Sequence, residues 1–291
     1  MDSIDRRSFL RTTGAAVTAA ALASPAAAAP ERAALKKAYM LGGLQKGAVL
    51  ETFQMLKDAG FEGVEITSPN ELDRNEVLSA RDKAGLKIHG VSGSRHWKDT
   101  LSDPDPAVVE RGLAAVRQAM ADCKAYGGDT VLLVPAVVNG KVTYRDAYTR
   151  SQSNIKKLIP DAARHGVKIA IEEVWNKFLL SPLEFAKYID EFESPFVGAY
   201  FDVGNVVEYG YPQEWIRELG ARILKVHIKE YAKPKRFDYL LGEGKEIDWA
   251  AVRSAFNEVG YQGWYTAEVP KGDLARMKDI VQRMDQLLGG G

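Results

Sequence analysis

Eight short apolar runs, each followed by an amphipathic stretch, divide the chain from about residue 38 to its end. The runs fall at 38–41, 63–67, 87–91, 130–134, 168–174, 198–202, 223–228 and 264–269, and read as strands. The helical stretches fall at 49–59, 71–84, 106–126, 144–165, 182–191, 213–219, 249–259 and 274–287. Four of those stretches end alike, in Ala59-Gly60-Phe61, Ala84-Gly85-Leu86, His165-Gly166-Val167 and Val259-Gly260-Tyr261. A glycine after a helix accepts the left-handed conformation that turns the chain toward the next strand. Joints of this kind belong to parallel strands, which need a long crossover to return. No Gly-x-Gly-x-x-Gly follows the first run, so nothing supports an open dinucleotide-binding sheet. Eight units in about 260 residues suit one closed α/β fold, the (β/α)8 TIM barrel, which takes roughly 250 residues.

The second half of the chain places a metal-binding residue at each of four strand ends. Lys168-Ile169-Ala170-Ile171-Glu172, Gly198-Ala199-Tyr200-Phe201-Asp202, Leu224-Lys225-Val226-His227 and Trp264-Tyr265-Thr266-Ala267-Glu268 follow one another. In a barrel the C-terminal strand ends converge on one mouth, where active sites sit. Three carboxylates and an imidazole there would make an O3N site suited to one divalent ion, Mn²⁺, Co²⁺, Mg²⁺ or Zn²⁺. A single acidic residue at a strand end is more often a loop residue or a cap. The argument rests on four together. Strand alternation groups Ala170 with Glu172, Tyr200 with Asp202 and Thr266 with Glu268 on the inward face. Glu173, adjacent and equally acidic, is the rival to Glu172.

The first 29 residues read as an address. Arg6-Arg7-Ser8-Phe9-Leu10-Arg11 precedes an apolar run at 12–22 and a small-residue stretch at 23–29. This is the pattern of a twin-arginine signal peptide over 1–29, leaving 30–291 as a single catalytic barrel destined for the periplasm. The apolar run is shorter than the roughly 20 residues of a spanning helix, so no stable membrane anchor is expected. The chain carries 39 basic and 39 acidic side chains, and loss of Arg6, Arg7, Arg11, Asp2 and Asp5 keeps it near neutral. That argues against a nucleic-acid partner. The lone Cys123 permits no intrachain disulfide and no cysteine zinc site, and its neighbours Ala119, Met120 and Tyr126 suit a buried thiol.

Two loops are rich in groups that hold small molecules. His89-Gly90-Val91-Ser92-Gly93-Ser94-Arg95-His96-Trp97-Lys98 follows strand three. Here His89 is expected in the barrel interior as a substrate-binding residue, and His96 with Trp97 as a substrate wall. Trp175, just past Glu172, offers a second wall. Lys229 shares the inward parity of His227 and suits an oxygen-rich ligand. His165 fits a helix C-terminus and carries no functional role.

The motifs Gly63-Val64-Glu65-Ile66, Ile171-Glu172, Phe201-Asp202-Val203-Gly204-Asn205, Val226-His227-Ile228-Lys229 and Ala267-Glu268 together resemble the xylose isomerase-like TIM-barrel superfamily. Its nearest branches are sugar and sugar-phosphate isomerases and epimerases of the ketose 3-epimerase and hydroxypyruvate isomerase type. The resemblance implies that Glu172, Asp202, His227 and Glu268 bind one divalent metal. It also implies that Glu172 and Glu268 act as acid and base on opposite sides of a keto-sugar, through a metal-bound cis-enediolate. A homodimer is a further implication. Asn205 stands where ketose 3-epimerases carry a substrate-binding histidine, and Glu173-Val174-Trp175 replaces their Pro-Leu-Asn. The polar shell around the sugar therefore differs. Export favours an unphosphorylated sugar or keto-sugar. The alternatives are a lyase or dehydratase expelling a β-leaving group from a 3-keto-sugar or glycoside, and a non-catalytic periplasmic sugar-binding barrel.

Overall fold

The computed structural model describes residues 35–289. The signal peptide expected over 1–29 lies outside the described residues. Eight strands, β1 (Lys36–Leu41), β2 (Gly63–Ser68), β3 (Lys87–Gly93), β4 (Thr130–Leu133), β5 (Lys168–Glu172), β6 (Val197–Asp202), β7 (Ile223–Ile228) and β8 (Trp264–Ala267), follow in chain order. Each pairs in parallel with the next, and β8 pairs with β1 to close the barrel. The expected (β/α)8 TIM barrel is the observed fold.

The helices are α1 (Val49–Ala59), α2 (Arg74–Ala84), α3 (Pro106–Tyr126), α4 (Tyr144–Lys156), α5 (Ile159–His165), α6 (Pro182–Asp190), α7 (Pro212–Leu219), α8 (Trp249–Glu258) and α9 (Leu274–Leu288). Six of their starts are built from short polar side chains. Asp73, Asp105, Thr143, Ser181, Asp248 and Asp273 each accept a hydrogen bond from a first-turn amide. Such a cap stabilises a helix by about 0.5–2 kcal/mol. Gly60 and Gly85 close α1 and α2 in the left-handed region, at φ of +104° and +65°, as the repeated joints require.

The single helix expected over 144–165 is two. Pro160 is the cause: it has no amide hydrogen for the Lys156 carbonyl, and its ring crowds that carbonyl. The chain therefore leaves α4 after Lys156 and restarts at Ile159, with Pro160 in the first turn of α5. Strand five also ends at Glu172 rather than 174. Beyond it the backbone turns, the Asn176 N–H bonding the Val174 carbonyl at 2.9 Å. Strand eight likewise stops at Ala267.

Alternation sorts the strand side chains into two populations. Ile169, Ile171, Ala199, Phe201, Val226 and Ile228 face the helices and belong to one continuous apolar core. Burying a branched or aromatic side chain there contributes roughly 1.5–3 kcal/mol. Inside the barrel, Leu132, Ala170 and Tyr200 form a separate small cluster with Leu224 against it. Polar residues share that interior. Glu65, His89, Lys225, His227 and Thr266 are all buried. Among the described residues no helix is long and apolar enough to cross a membrane.

Candidate metal centre

The strand ends of β5 to β8 bring four donors together. One ligand atom from each of Glu172, Asp202, His227 and Glu268 lies within 4.8 Å of the others. Register does this: Asp202 on β6 is the lateral partner of His227 on β7, and Glu172 ends β5 beside Tyr200. Glu268 follows β8 and stays in place because its amide bonds the Ile228 carbonyl at 3.0 Å.

The donor set points inward on itself. His227 Nδ1 lies 2.9 Å from Glu172 Oε1, 3.4 Å from Glu268 Oε2 and 3.9 Å from Asp202 Oδ2. Asp202 divides its two oxygens between two tasks. Oδ1 accepts from the Gly204 and Asn205 amides, each at 2.8 Å. Oδ2 is buried without a hydrogen bond and faces the cluster. Lys229 Nζ approaches it to 3.0 Å out of hydrogen-bonding line, and donates to Glu268 Oε2 at 2.7 Å. Gly204 makes room for that lysine, since a Cβ there would come within 2.7 Å of Lys229 Cγ.

The charges respond to this crowding. Burial pushes the Glu172 carboxyl up to about 7, with His227 opposing and Glu268 and Asp202 adding. Burial also raises Asp202, against Lys229. Glu268 goes the other way: burial is outweighed by Lys229 and His227, which hold it down at about 2. The His227 ring is buried, which opposes charge, yet Glu268, Glu172 and Glu65 raise it well above its usual value. Three carboxylates and an imidazole packed this closely, with a buried carboxylate oxygen left without a hydrogen bond, fit a divalent ion of the hard or intermediate class.

The centre opens onto a cavity of about 290 Å³. Glu172, His227, Glu268 and Lys229 form its floor, and His96, Trp97, Trp175 and Asn205 stand on its wall. Met40, Leu132, Val174 and Phe237 add an apolar side. His96 is fixed: its Nδ1 accepts from the Val134 amide at 3.3 Å. Burial holds its ring down to about 4, so near pH 7 it is neutral and Nε2 carries the proton. Trp97 is 53 % exposed. Asn205 spends its amide on the Glu173 carbonyl at 2.9 Å, so it braces the wall more than it offers a free donor.

A family model for xylose isomerase-like TIM barrels matches residues 53–287. The chain belongs to the xylose isomerase-like TIM barrel family. Within that family it is 25% identical over 253 residues to L-ribulose-5-phosphate 3-epimerase UlaE of Escherichia coli O1:K1, covering 80% of this chain and 88% of the relative. Among solved structures, an L-ribulose 3-epimerase superposes with a TM-score of 0.75 at 20% identity, covering 89% and 95% of the two chains. A Methylomonas sp. D-allulose 3-epimerase in complex with D-allulose gives 0.73 at 19%, over 88% and 98%. The 3-keto-D-glucoside 4-epimerase YcjR of E. coli gives 0.71 at 19%, over 88% and 100%.

The structure resolves the rivalry on strand five and moves one expected residue. Glu173 faces away from the cluster, its Oε1 accepting from the Asp202 amide at 2.8 Å, so Glu172 is the carboxylate at the mouth. His89 is in the barrel interior as expected but not on the substrate cavity. It stacks on Trp264 with ring centroids 5.1 Å apart, bonds Thr266 Oγ1 at 3.1 Å, and borders a cavity at the strands' N-terminal ends. Sequence reasoning did not find Phe237. It lies on the long β7–α8 connection, which has no periodicity to place it. Trp175 and Phe237 stand 5.0 Å apart, and the Arg236 guanidinium lies 4.1 Å over the Trp175 ring.

Proposed function

We propose that the protein is a divalent-metal-dependent isomerase or epimerase of unphosphorylated sugars or keto-sugars, with Glu172, Asp202, His227 and Glu268 holding the metal. The observation that carries this reading is the convergence of these four donors, of which Glu172, His227 and Glu268 line one open cavity. The epimerase relatives of the family support the reaction class. A divalent ion held there would act as a Lewis acid on a substrate carbonyl, making the adjacent C–H more acidic.

The protein's own part is proton transfer and positioning. Glu172 and Glu268 both border the cavity, so one carboxylate can take a proton from carbon and the other can return one. Lys229, between Asp202 and Glu268, can hold negative charge developing on a substrate oxygen. His96 offers its Nε2–H to a hydroxyl. Trp97, Trp175 and Phe237 exclude water from one side and present faces to the sugar.

The test is proton exchange in heavy water. The purified chain, reconstituted with Mn²⁺ or Co²⁺, is offered ketoses and 3-keto-glycosides, and products are read by NMR. Deuterium should enter at one carbon, and Glu172→Gln or Glu268→Gln should lower the rate by about 10²–10⁴-fold. No incorporation across the panel, with metal occupancy verified, would favour a binding protein instead.

The aromatic side of the cavity favours a second reading. Trp97, Trp175 and Phe237 suit a sugar carrying an apolar substituent, and the same proton abstraction can expel a β-leaving group. Release of an aglycone from a 3-keto-glycoside distinguishes this lyase from an epimerase. We also propose export to the periplasm through Arg6 and Arg7. Replacing both by lysine should retain the chain in the cytoplasmic fraction of its bacterial host.

A further inference from the structure

Glu65 is a fully buried carboxyl in the lumen of the barrel, and a carboxyl is rarely buried so completely unless it is paired. Its Oε2 accepts from the Tyr200 hydroxyl at 2.7 Å. Its Oε1 lies 3.3 Å from His227 Nε2, out of hydrogen-bonding line, and both atoms are buried without a hydrogen bond to any described group. The other edge of the same ring, Nδ1, faces Glu172, Glu268 and Asp202. Glu65 and His227 thus meet across the lumen from strands that are not neighbours.

The ladder is irregular beside both residues of the Tyr200–Glu65 hydrogen bond. Val64 and Glu65 on β2 pair with Ile88 and Gly90, so β3 carries His89 as an extra residue, and Ala199 and Tyr200 on β6 pair with Ile223 and Lys225, so β7 carries Leu224. An extra residue of this kind bends the strand that holds it and changes which side chains face the lumen. Tyr200 also packs on the imidazole itself, with centroids 4.3 Å apart. Below it, Thr266 Oγ1 lies 3.4 Å from the Tyr200 hydroxyl, and His89 holds Thr266.

We propose that Glu65 is the positioning residue of the metal centre: it holds the Nε2 edge of His227, Tyr200 holds Glu65, and Nδ1 is thereby left to ligate. An imidazole binds a metal through one nitrogen, and an acceptor at the other fixes tautomer and ring orientation. The inference rests on the metal-centre reading above and adds to it a residue from the opposite side of the barrel. Glu65 touches neither substrate nor reacting atoms, so its effect passes through His227.

The experiment uses the whole chain with Mn²⁺ as the probe for affinity and Zn²⁺ for spectroscopy. Glu65→Leu should raise the Mn²⁺ dissociation constant by about 10–100-fold. Glu65→Gln, which keeps an acceptor, should recover part of that loss. Tyr200→Phe should shift the constant in the same direction. The double variant Glu65→Leu/Tyr200→Phe should be no weaker than Glu65→Leu alone, because both act along one path. The chain has only four histidines, so ¹⁵N-histidine spectra of the Zn²⁺-loaded protein can read the His227 tautomer directly. Wild type should show Nε2–H, with the signal broadened or shifted in Glu65→Leu. Wild type that takes up no Mn²⁺ would overturn the metal centre itself. Wild type that binds, beside a Glu65→Leu variant with unchanged affinity and tautomer, would overturn this inference alone. Should Glu65→Leu fail to fold, Tyr200→Phe decides in the same way.

Discussion

Lys229 is the residue whose removal says most about how the site works. Its ammonium is almost enclosed, 2.7 Å from Glu268 and 3.0 Å from Asp202. Burial opposes its charge, but Asp202 and Glu268 raise it well above the ordinary lysine range, so it stays protonated. Lys229→Met should keep metal uptake and lower kcat/KM by about 10²–10³-fold, the usual effect of losing one donor to a developing oxyanion. Steady-state kinetics beside elemental analysis checks both halves. Much at this scale was legible in the sequence. Strand parity separated Glu172 from Glu173 because a one-residue step reverses the face. Glu65 stands in a motif that carries the resemblance, but its role is not legible there, since its partner Tyr200 is 135 residues away and no local pattern encodes that meeting.

At the scale of elements, the β3–α3 connection carries His96 and Trp97, and Asp99 pins it. Asp99 accepts from Arg95 Nε at 2.8 Å and from Arg111 Nε at 3.0 Å, so the loop is tied to itself and to α3. Burial would raise this carboxyl, but the two guanidinium groups outweigh it and hold it below the usual range. The depressed folded value means the stabilisation is complete above about pH 4, the ordinary carboxylate value. It fades as pH falls through the lowered folded value. Asp99→Asn should therefore cost about 1 kcal/mol at pH 7, both arginines being half exposed. The difference from wild type should vanish in strong acid, as denaturant melts at several pH values will report. Gly112 on α3 is the packing counterpart. A Cβ there would lie 2.3 Å from the Asp99 carbonyl, so Gly112→Ala should displace the loop and raise KM more than it lowers kcat. The polar density of this loop marked it in the sequence. The β7–α8 connection gave no comparable signal, because Arg236 and Phe237 act through contacts with Trp175 rather than through spacing. The division of α4 from α5 was missed for a different reason: apolar periodicity runs through Pro160, and only backbone chemistry stops there.

For the whole molecule, eight repeats of strand and helix made the closed barrel readable, since count and connection type leave few topologies. What the count did not convey is how polar the lumen is. Glu65, Tyr200, Thr266 and His89 run from beneath the metal centre toward the far mouth, while the helix-facing side is mainly apolar. A site that holds a divalent ion only in the folded barrel links loading to stability. Metal removal with a chelator should lower the melting temperature. Restoring free Mn²⁺ to about 100 times its dissociation constant should return roughly 2.7 kcal/mol. Glu172→Gln should melt without that dependence, and calorimetry at several metal concentrations measures it.

Asp202 gives its Oδ2 to the cluster and its Oδ1 to the amides that open the turn after β6. Glu268 spends its carboxylate on Lys229 and, among the described residues, on no backbone amide. Descendants of such a chain that gave up chemistry would not shed the two acids at equal speed. Position 268 could drift at once, whereas any replacement at 202 would first have to rebuild the turn. An aspartate there would outlive the activity it served, a fossil kept by the backbone.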